Sequence, residues 1–470
     1  MVRNRLISGG IVTFFTSFLI ITLIFLKLGM VEKLNLLFIP ITLILANLIY
    51  FYEGLILYVI LAPSMAAIPF LEFIGDEPTL LYVRLTVFIY FGMVIIDLFR
   101  RRKHVRLLTP ITISFGIFIL ILVLRTILEI NVFDPFGKDK YWFVNLFQLV
   151  NGLVFAFIGG FLLQYFPERY KRLLLIMLLV TIICSIGLLS FNYDFIKGDK
   201  LYKLMIRGKE YFFDSIMVGR LMGASTIISL VYLLNKNRIV IKLGAGIMSA
   251  FFAILMVIAN QRGPLLCFLL ILVVIYLLNR HKFTNKVYFF ISITFMIIII
   301  YYLTIGFDFL QSRYFLTMDI GISEESRWHL FDVALKLFSN NIVMGTAYGG
   351  YNLATGFGYP HNIFLEVLTE TGFVGFIPFL FFLINLIRVI PKVFKRGWQY
   401  ETAVYLFLFF FLNAQLSGNF PGNVFFFLFA GIIGGAAVTL PPLNQEKMFA
   451  VPQVAADRIG WRPLLIKTKQ

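Results

Sequence analysis

Apolar residues in this chain run in blocks of roughly 17 to 20, split by short polar stretches, and a helix of that length crosses about 30 Å of hydrocarbon. The pattern predicts an all-α polytopic transmembrane bundle of about 12–14 helices. The spans fall near 8–26, 34–50, 54–71, 80–98, 110–128, 143–165, 173–190, 215–234, 241–258, 263–279, 287–305, 373–390, 402–416 and 423–440. Several are short enough to be re-entrant or interfacial, which is why the smaller count stands beside the larger. No small-residue cleavage site follows the first block, Ser8 to Leu26, so it is expected as a retained helix and not a signal peptide.

The polar stretches alternate in charge. One set holds Arg3 and Arg5, Arg100 to Lys103 with Arg106, Arg169 to Arg172, Lys236 with Arg238, Arg280 to Lys286, and Arg388 to Arg396. By the positive-inside rule this set is cytoplasmic, together with both termini. The other set carries Glu72, Asp76 and Glu77, the loops 129–142 and 191–214, the turns Asn260 to Pro264 and Ser417 to Gly422, and the segment 306–372. These are expected to face outward. Loop 191–214 departs from the rule with several lysines and Arg207, and an anionic ligand is one reason for basic residues on that side.

Segment 306–372 is the one loop long enough to fold by itself. An amphipathic helix is predicted from Ser323, a good cap, with Glu324 and Glu325 in its first turn. Trp328, Phe331, Leu335 and Phe338 follow at spacings of three and four, placing an aromatic face for the headgroup layer. A glycine-rich turn, Gly345 to Gly350, comes next, and Pro360 suits the first position of a further helix. The chain thus divides into transmembrane helices over 1–305, the outward segment 306–372, C-terminal transmembrane helices over 373–440 and a polar tail over 441–470.

Composition supports a membrane protein: 60% of the 470 residues are hydrophobic and only 14% are charged, more apolar surface than a soluble fold buries. The net charge of +17 is explained by basic residues flanking helices, so nucleic acid is not expected as a partner, whereas membrane lipids are. Cys184 and Cys267 lie within apolar spans, and a disulfide or metal site is not expected from them.

Four basic residues far apart in sequence share the outward compartment of this topology: Arg220, Arg262, Arg327 and His361. An arginine at the membrane surface costs a few kcal/mol unless paired, which makes each a functional candidate. The alternative is snorkelling to lipid phosphates, or pairing with an acid such as Glu325 or Glu366. Guanidinium groups suit phosphate because they offer paired donors and stay charged. Two could hold a diphosphate and stabilise its charge as it departs. The outward loops contain no Asp-x-Asp run, no His and Cys cluster and no nucleotide-binding glycine loop, so neither a metal nor another cofactor is expected. His361 could take a proton from an attacking hydroxyl, with Asn362 or Glu366 orienting it. Its alternative is a capping histidine that ties loop to helix.

Gln261-Arg262-Gly263, Ser326-Arg327-Trp328 with Ala334-Leu335, Asn340-Asn341 to Gly345, and Gly349-Gly350-Tyr351 stand in order, followed by Tyr359-Pro360-His361-Asn362, Leu365-Glu366 and Glu370-Thr371-Gly372. This combination resembles the bacterial O-antigen ligase and O-antigen polymerase superfamily of membrane glycosyltransferases. The resemblance implies that Arg220, Arg262 and Arg327 contact the diphosphate of an undecaprenyl diphosphate-linked oligosaccharide and that His361 helps activate the acceptor hydroxyl. It also implies metal-independent transfer with inversion. The acceptor is a lipid-linked repeat for a polymerase or the lipid A core for a ligase, and a chain-length regulator is among the partners it allows. Where the family often has Asn-Pro before the glycine-rich turn, Asn341 is followed here by Ile342. A composition rich in Lys, Ile, Phe and Asn leans towards a polymerase. An exporter of lipid-linked sugars is the rival from another class, and it would spread its charges through both halves of the bilayer. A sensor or assembly scaffold is the third possibility, and it would tolerate replacement of His361.

Overall fold

Pro110 opens the first helix, α1 (Pro110–Leu128), where a missing N–H is harmless. The computed structural model describes residues 106–128, parts of 153–185, 203–206, 209–212, 215–235, 238–258, 262–278, 322–356, 358–420 and 422–439. The spans expected at 8–26, 34–50, 54–71, 80–98 and 287–305 and the tail over 441–470 lie outside these residues. After α1 come α2 (Ala156–Leu163), α3 (Ser215–Asn235), α4 (Ile239–Ile258) and α5 (Arg262–Leu278). Then follow α6 (Ile322–Asn340), α7 (Gly350–Thr355), α8 (Ile363–Phe394), α9 (Trp398–Ala414) and α10 (Val424–Thr439). The helices α1, α3, α4 and α8 are long and apolar enough to cross a membrane. This is an all-α polytopic membrane protein, with one small exception among the described residues.

The exception is a hairpin in the loop that had looked merely basic. Strands β1 (Lys203–Ile206) and β2 (Lys209–Phe212) pair antiparallel, with Ile206 opposite Lys209.

Helices α1 and α8 run antiparallel, joined by aromatic side chains. Phe118 lies 5.1 Å from Phe379 and Phe115 lies 5.3 Å from Phe382, ring centre to ring centre. Asn385 Nδ2 reaches the carbonyl of Pro110 at 3.5 Å. Following this register towards the other end places Arg125 of α1 beside residue 372 of α8. Helices α9 and α10 are joined by stacked phenylalanines: Phe410 on Phe425 at 4.8 Å and on Phe429 at 5.8 Å, and Phe407 on Phe426 at 5.5 Å. Offset aromatic pairs of this kind add about 0.5–1.5 kcal/mol each beyond their burial.

Helices α2 and α10 meet backbone to backbone. A Cβ on Gly431 would overlap the carbonyl oxygen of Phe157, one on Gly435 that of Phe161, and one on Gly160 that of Leu428. Small residues at helix crossings are the usual route to close packing in lipid, where apolar burial alone gives no preference for protein over lipid.

One expectation for segment 306–372 changes. Helix α6 spans 322–340 and packs inward through Leu330 and Ala334, against Tyr351, while Trp328 and Leu335 on its other face are exposed. Pro360 is not the first residue of a helix. Asn362 is the cap, and α8 begins at Ile363 and continues beyond residue 372, where the sequence pattern had placed the end of the loop.

Candidate functional site

The site is organised around a break in α8. Gly372 has φ 58 and ψ −162, so the helix stops and restarts there and its next N–H groups lose their intrahelical acceptors. The chain after α6 supplies new partners. Phe373 N–H donates to Ile342 O at 3.0 Å and Val374 N–H to Val343 O at 3.1 Å, while Thr346 N–H donates to Thr369 O at 2.8 Å. Broken backbone at membrane depth persists only when other protein groups satisfy it in this way.

The approach is close enough to require glycine on both sides. Gly345 has φ 68, and a Cβ there would stand 2.5 Å from the backbone of Glu370 and Gly372. Left-handed residues then alternate along the turn, Gly345, Ala347 and Gly349. The sequence reading had marked this stretch as glycine-rich, and the helix break is the reason.

Two buried carboxylates one helical turn apart fasten loops to α8. Glu370 Oε1 accepts from Gly349 N–H at 3.0 Å. Glu366 Oε2 accepts from Phe420 N–H at 2.9 Å. Tyr348 fills the space between, edge-on to Phe420 at 5.2 Å. Burial, with Glu370 and then Glu366 nearby, pushes its phenol well above the ordinary range, so Tyr348 stays neutral.

Arg220 is buried near the start of α3 and turned onto the connection between α9 and α10. Its guanidinium donates to Ser417 O at 2.6 Å, to Asn413 O at 3.3 Å and to Asn423 Oδ1 at 3.2 Å. Arg262 is the first residue of α5 and is exposed. The adjoining Gly263 faces Leu416, whose side-chain atoms lie 3.9 Å from where a Cβ would be. The fold thus brings Arg220 and the start of α5 to one turn, 413–418, although they are distant in sequence. Arg327 is the sixth residue of α6, and its side chain lies outside the described residues.

His361 is half-buried at the foot of α8, edge-on to Tyr359 at 4.5 Å. Its φ is 58, a left-handed conformation that costs a non-glycine residue about 1–2 kcal/mol. The residue that caps the helix is Asn362, whose Oδ1 accepts from Phe364 N–H at 3.0 Å and Leu365 N–H at 3.1 Å. Asn362 and Glu366 each spend an oxygen on backbone N–H groups, of Phe364 and Leu365 and of Phe420.

One cation at this site was not among the sequence candidates. Arg125 of α1 donates to Gly345 O at 2.9 Å. An arginine inside an otherwise apolar span was the available signal.

Residues 247–380 match the family model described as O-antigen ligase. Over these residues the chain is similar to the O-antigen ligase family. This agrees with the superfamily that the motifs resemble, and it supports a ligase-type or polymerase-type activity in general. A comparison with curated proteins finds no match. The matched region holds Arg262, Arg327, His361, Glu366 and Glu370, with both glycines of the break. Arg125, Arg220 and the turn 413–423 lie outside it in sequence and are folded against it.

Proposed function

We propose that the protein transfers a glycan from undecaprenyl diphosphate to an acceptor sugar on the outer face of the cytoplasmic membrane, with inversion and without a metal ion. The observation that carries this reading is the meeting of Arg220 and the Arg262 end of α5 at one turn, beside the region similar to the O-antigen ligase family, which also contains His361. The acceptor hydroxyl attacks the anomeric carbon and gives its proton to the His361 imidazole. The bond from that carbon to the diphosphate breaks, and undecaprenyl diphosphate leaves with the electron pair. Arg262 and Arg327 meet the negative charge as it grows, and Arg220 contributes its field from within the protein. Each preorganised donor of this kind is worth about 10²–10³-fold in rate.

The leading form is a polymerase, whose acceptor is another lipid-linked repeat; it rests on the composition of the chain. The alternative is the ligase form, with lipid A core as acceptor. Purified protein incubated with a defined undecaprenyl diphosphate oligosaccharide separates them. Elongation without core acceptor supports the polymerase, and transfer only to the core supports the ligase. Loss of all turnover with chelator would overturn the metal-free mechanism. Movement of the intact lipid-linked sugar across vesicles without transfer would point to an exporter instead.

A further inference from the structure

The loop that closes the break in α8 is held from a second helix by a charged group. Arg125 lies in the last turn of α1, in a run of leucine, isoleucine and valine, where a guanidinium is costly unless it is given a task. Its Nη2 donates to the carbonyl of Gly345 at 2.9 Å, across 220 residues of sequence. That carbonyl belongs to the residue wedged against Gly372. Its own N–H is bonded to Asn341 O at 2.8 Å, and its neighbour Thr346 bonds to Thr369 O at 2.8 Å.

From Gly345 the chain runs through the Gly349 contact with Glu370, then α7, and ends at His361 and the Asn362 cap. This run is therefore tied to α8 at both ends. Its first end is fixed by the helix break and by Arg125, and its last end presents His361 in a strained backbone conformation. A strained residue persists only where its surroundings over-determine it.

We propose that Arg125 is a positioning residue for the transfer reaction: by holding Gly345 on the break in α8 it fixes the segment that ends in His361. This rests on the reading of the protein as a transferase. It acts through the loop and touches neither glycan nor diphosphate.

The test uses the full-length protein in detergent or nanodiscs with a defined undecaprenyl diphosphate oligosaccharide, comparing wild type, Arg125→Gln and Arg125→Lys. Arg125→Gln is expected to lower kcat about tenfold or more, with the donor KM within about twofold, because a displaced reacting group loses rate without losing ground-state binding. Arg125→Lys, which keeps the charge and one donor, falls between. Amide exchange at Thr346, Phe373 and Val374 quickens in the same order. A raised KM at unchanged kcat would overturn the proposal by making Arg125 a substrate-binding residue. So would wild-type kcat in Arg125→Gln, or unaltered exchange at those amides. If Arg125→Gln fails to accumulate, Arg125→Lys decides alone, since exchange rates equal to wild type would overturn the proposal. An inactive wild-type protein would instead count against the transferase reading, and the exchange measurement would still judge the role of Arg125 in the loop.

Discussion

Arg220 and Glu366 hold the same turn by opposite chemistry. The guanidinium donates to Ser417 O at 2.6 Å and Asn413 O at 3.3 Å, and the carboxylate accepts from Phe420 N–H at 2.9 Å. One side chain comes from α3 and the other from α8, so the connection between α9 and α10 is locked to both.

Arg220 therefore contributes to folding as well as to the charge of the site. Arg220→Ala leaves buried carbonyls without donors and is expected to destabilise by about 1–3 kcal/mol, the cost of unsatisfied buried acceptors. Arg220→Lys keeps the charge, but its single ammonium cannot span the acceptors. Thermal unfolding in detergent should rank the variants wild type, Lys, Ala, with turnover falling in the same order.

Glu366 acts chiefly as an acceptor, for Phe420 N–H. Glu366→Gln keeps an oxygen for Phe420 N–H and is expected to lie within about 1 kcal/mol of wild type, whereas Glu366→Ala strands that N–H and loses about 1–3 kcal/mol. Equal stability of the two variants would show that the hydrogen bond is not what Glu366 provides.

The contact between α2 and α10 gives a prediction independent of function. Gly431→Ala drives a methyl group into the Phe157 carbonyl and should lower the yield of folded protein sharply. Gly434→Ala is the control, because its added carbon meets the Ile111 side chain at 3.4 Å, a distance at ordinary contact. Overpacking costs typically about 1–3 kcal/mol, and more where rigid backbone is the obstacle. Melting temperature and monodispersity on size exclusion compare the two.

Much of the helical frame is legible in the sequence, since Pro110 and the apolar run after it give α1 its limits and Asn235 closes α3. The helix opening near Pro360 is legible too, but the break at Gly372 is not, nor are the partners of Glu366, Thr369 and Glu370, which come from residues 342–349 and 420 and which no local pattern reveals. At the site, His361 and Arg262 stand out from their motifs, while Arg125 needed the fold to show that Gly345 is its partner. The hairpin β1–β2 escaped notice because lysines broke its apolar alternation.

His361 allows a substitution that spares the backbone. Asparagine tolerates φ near 58 better than most residues, so His361→Asn should keep the fold and lose the base. Its melting temperature is expected to match wild type while turnover falls by about 10²–10⁴-fold, the usual contribution of general base catalysis.

The most direct measurement is release of undecaprenyl diphosphate from a defined lipid-linked oligosaccharide, counted against glycan transferred, for wild type and Arg262→Ala. Wild type is expected to release one undecaprenyl diphosphate per glycan transferred, and folded Arg262→Ala protein to give neither product nor release. Transfer by Arg262→Ala at the wild-type rate would contradict the proposed mechanism.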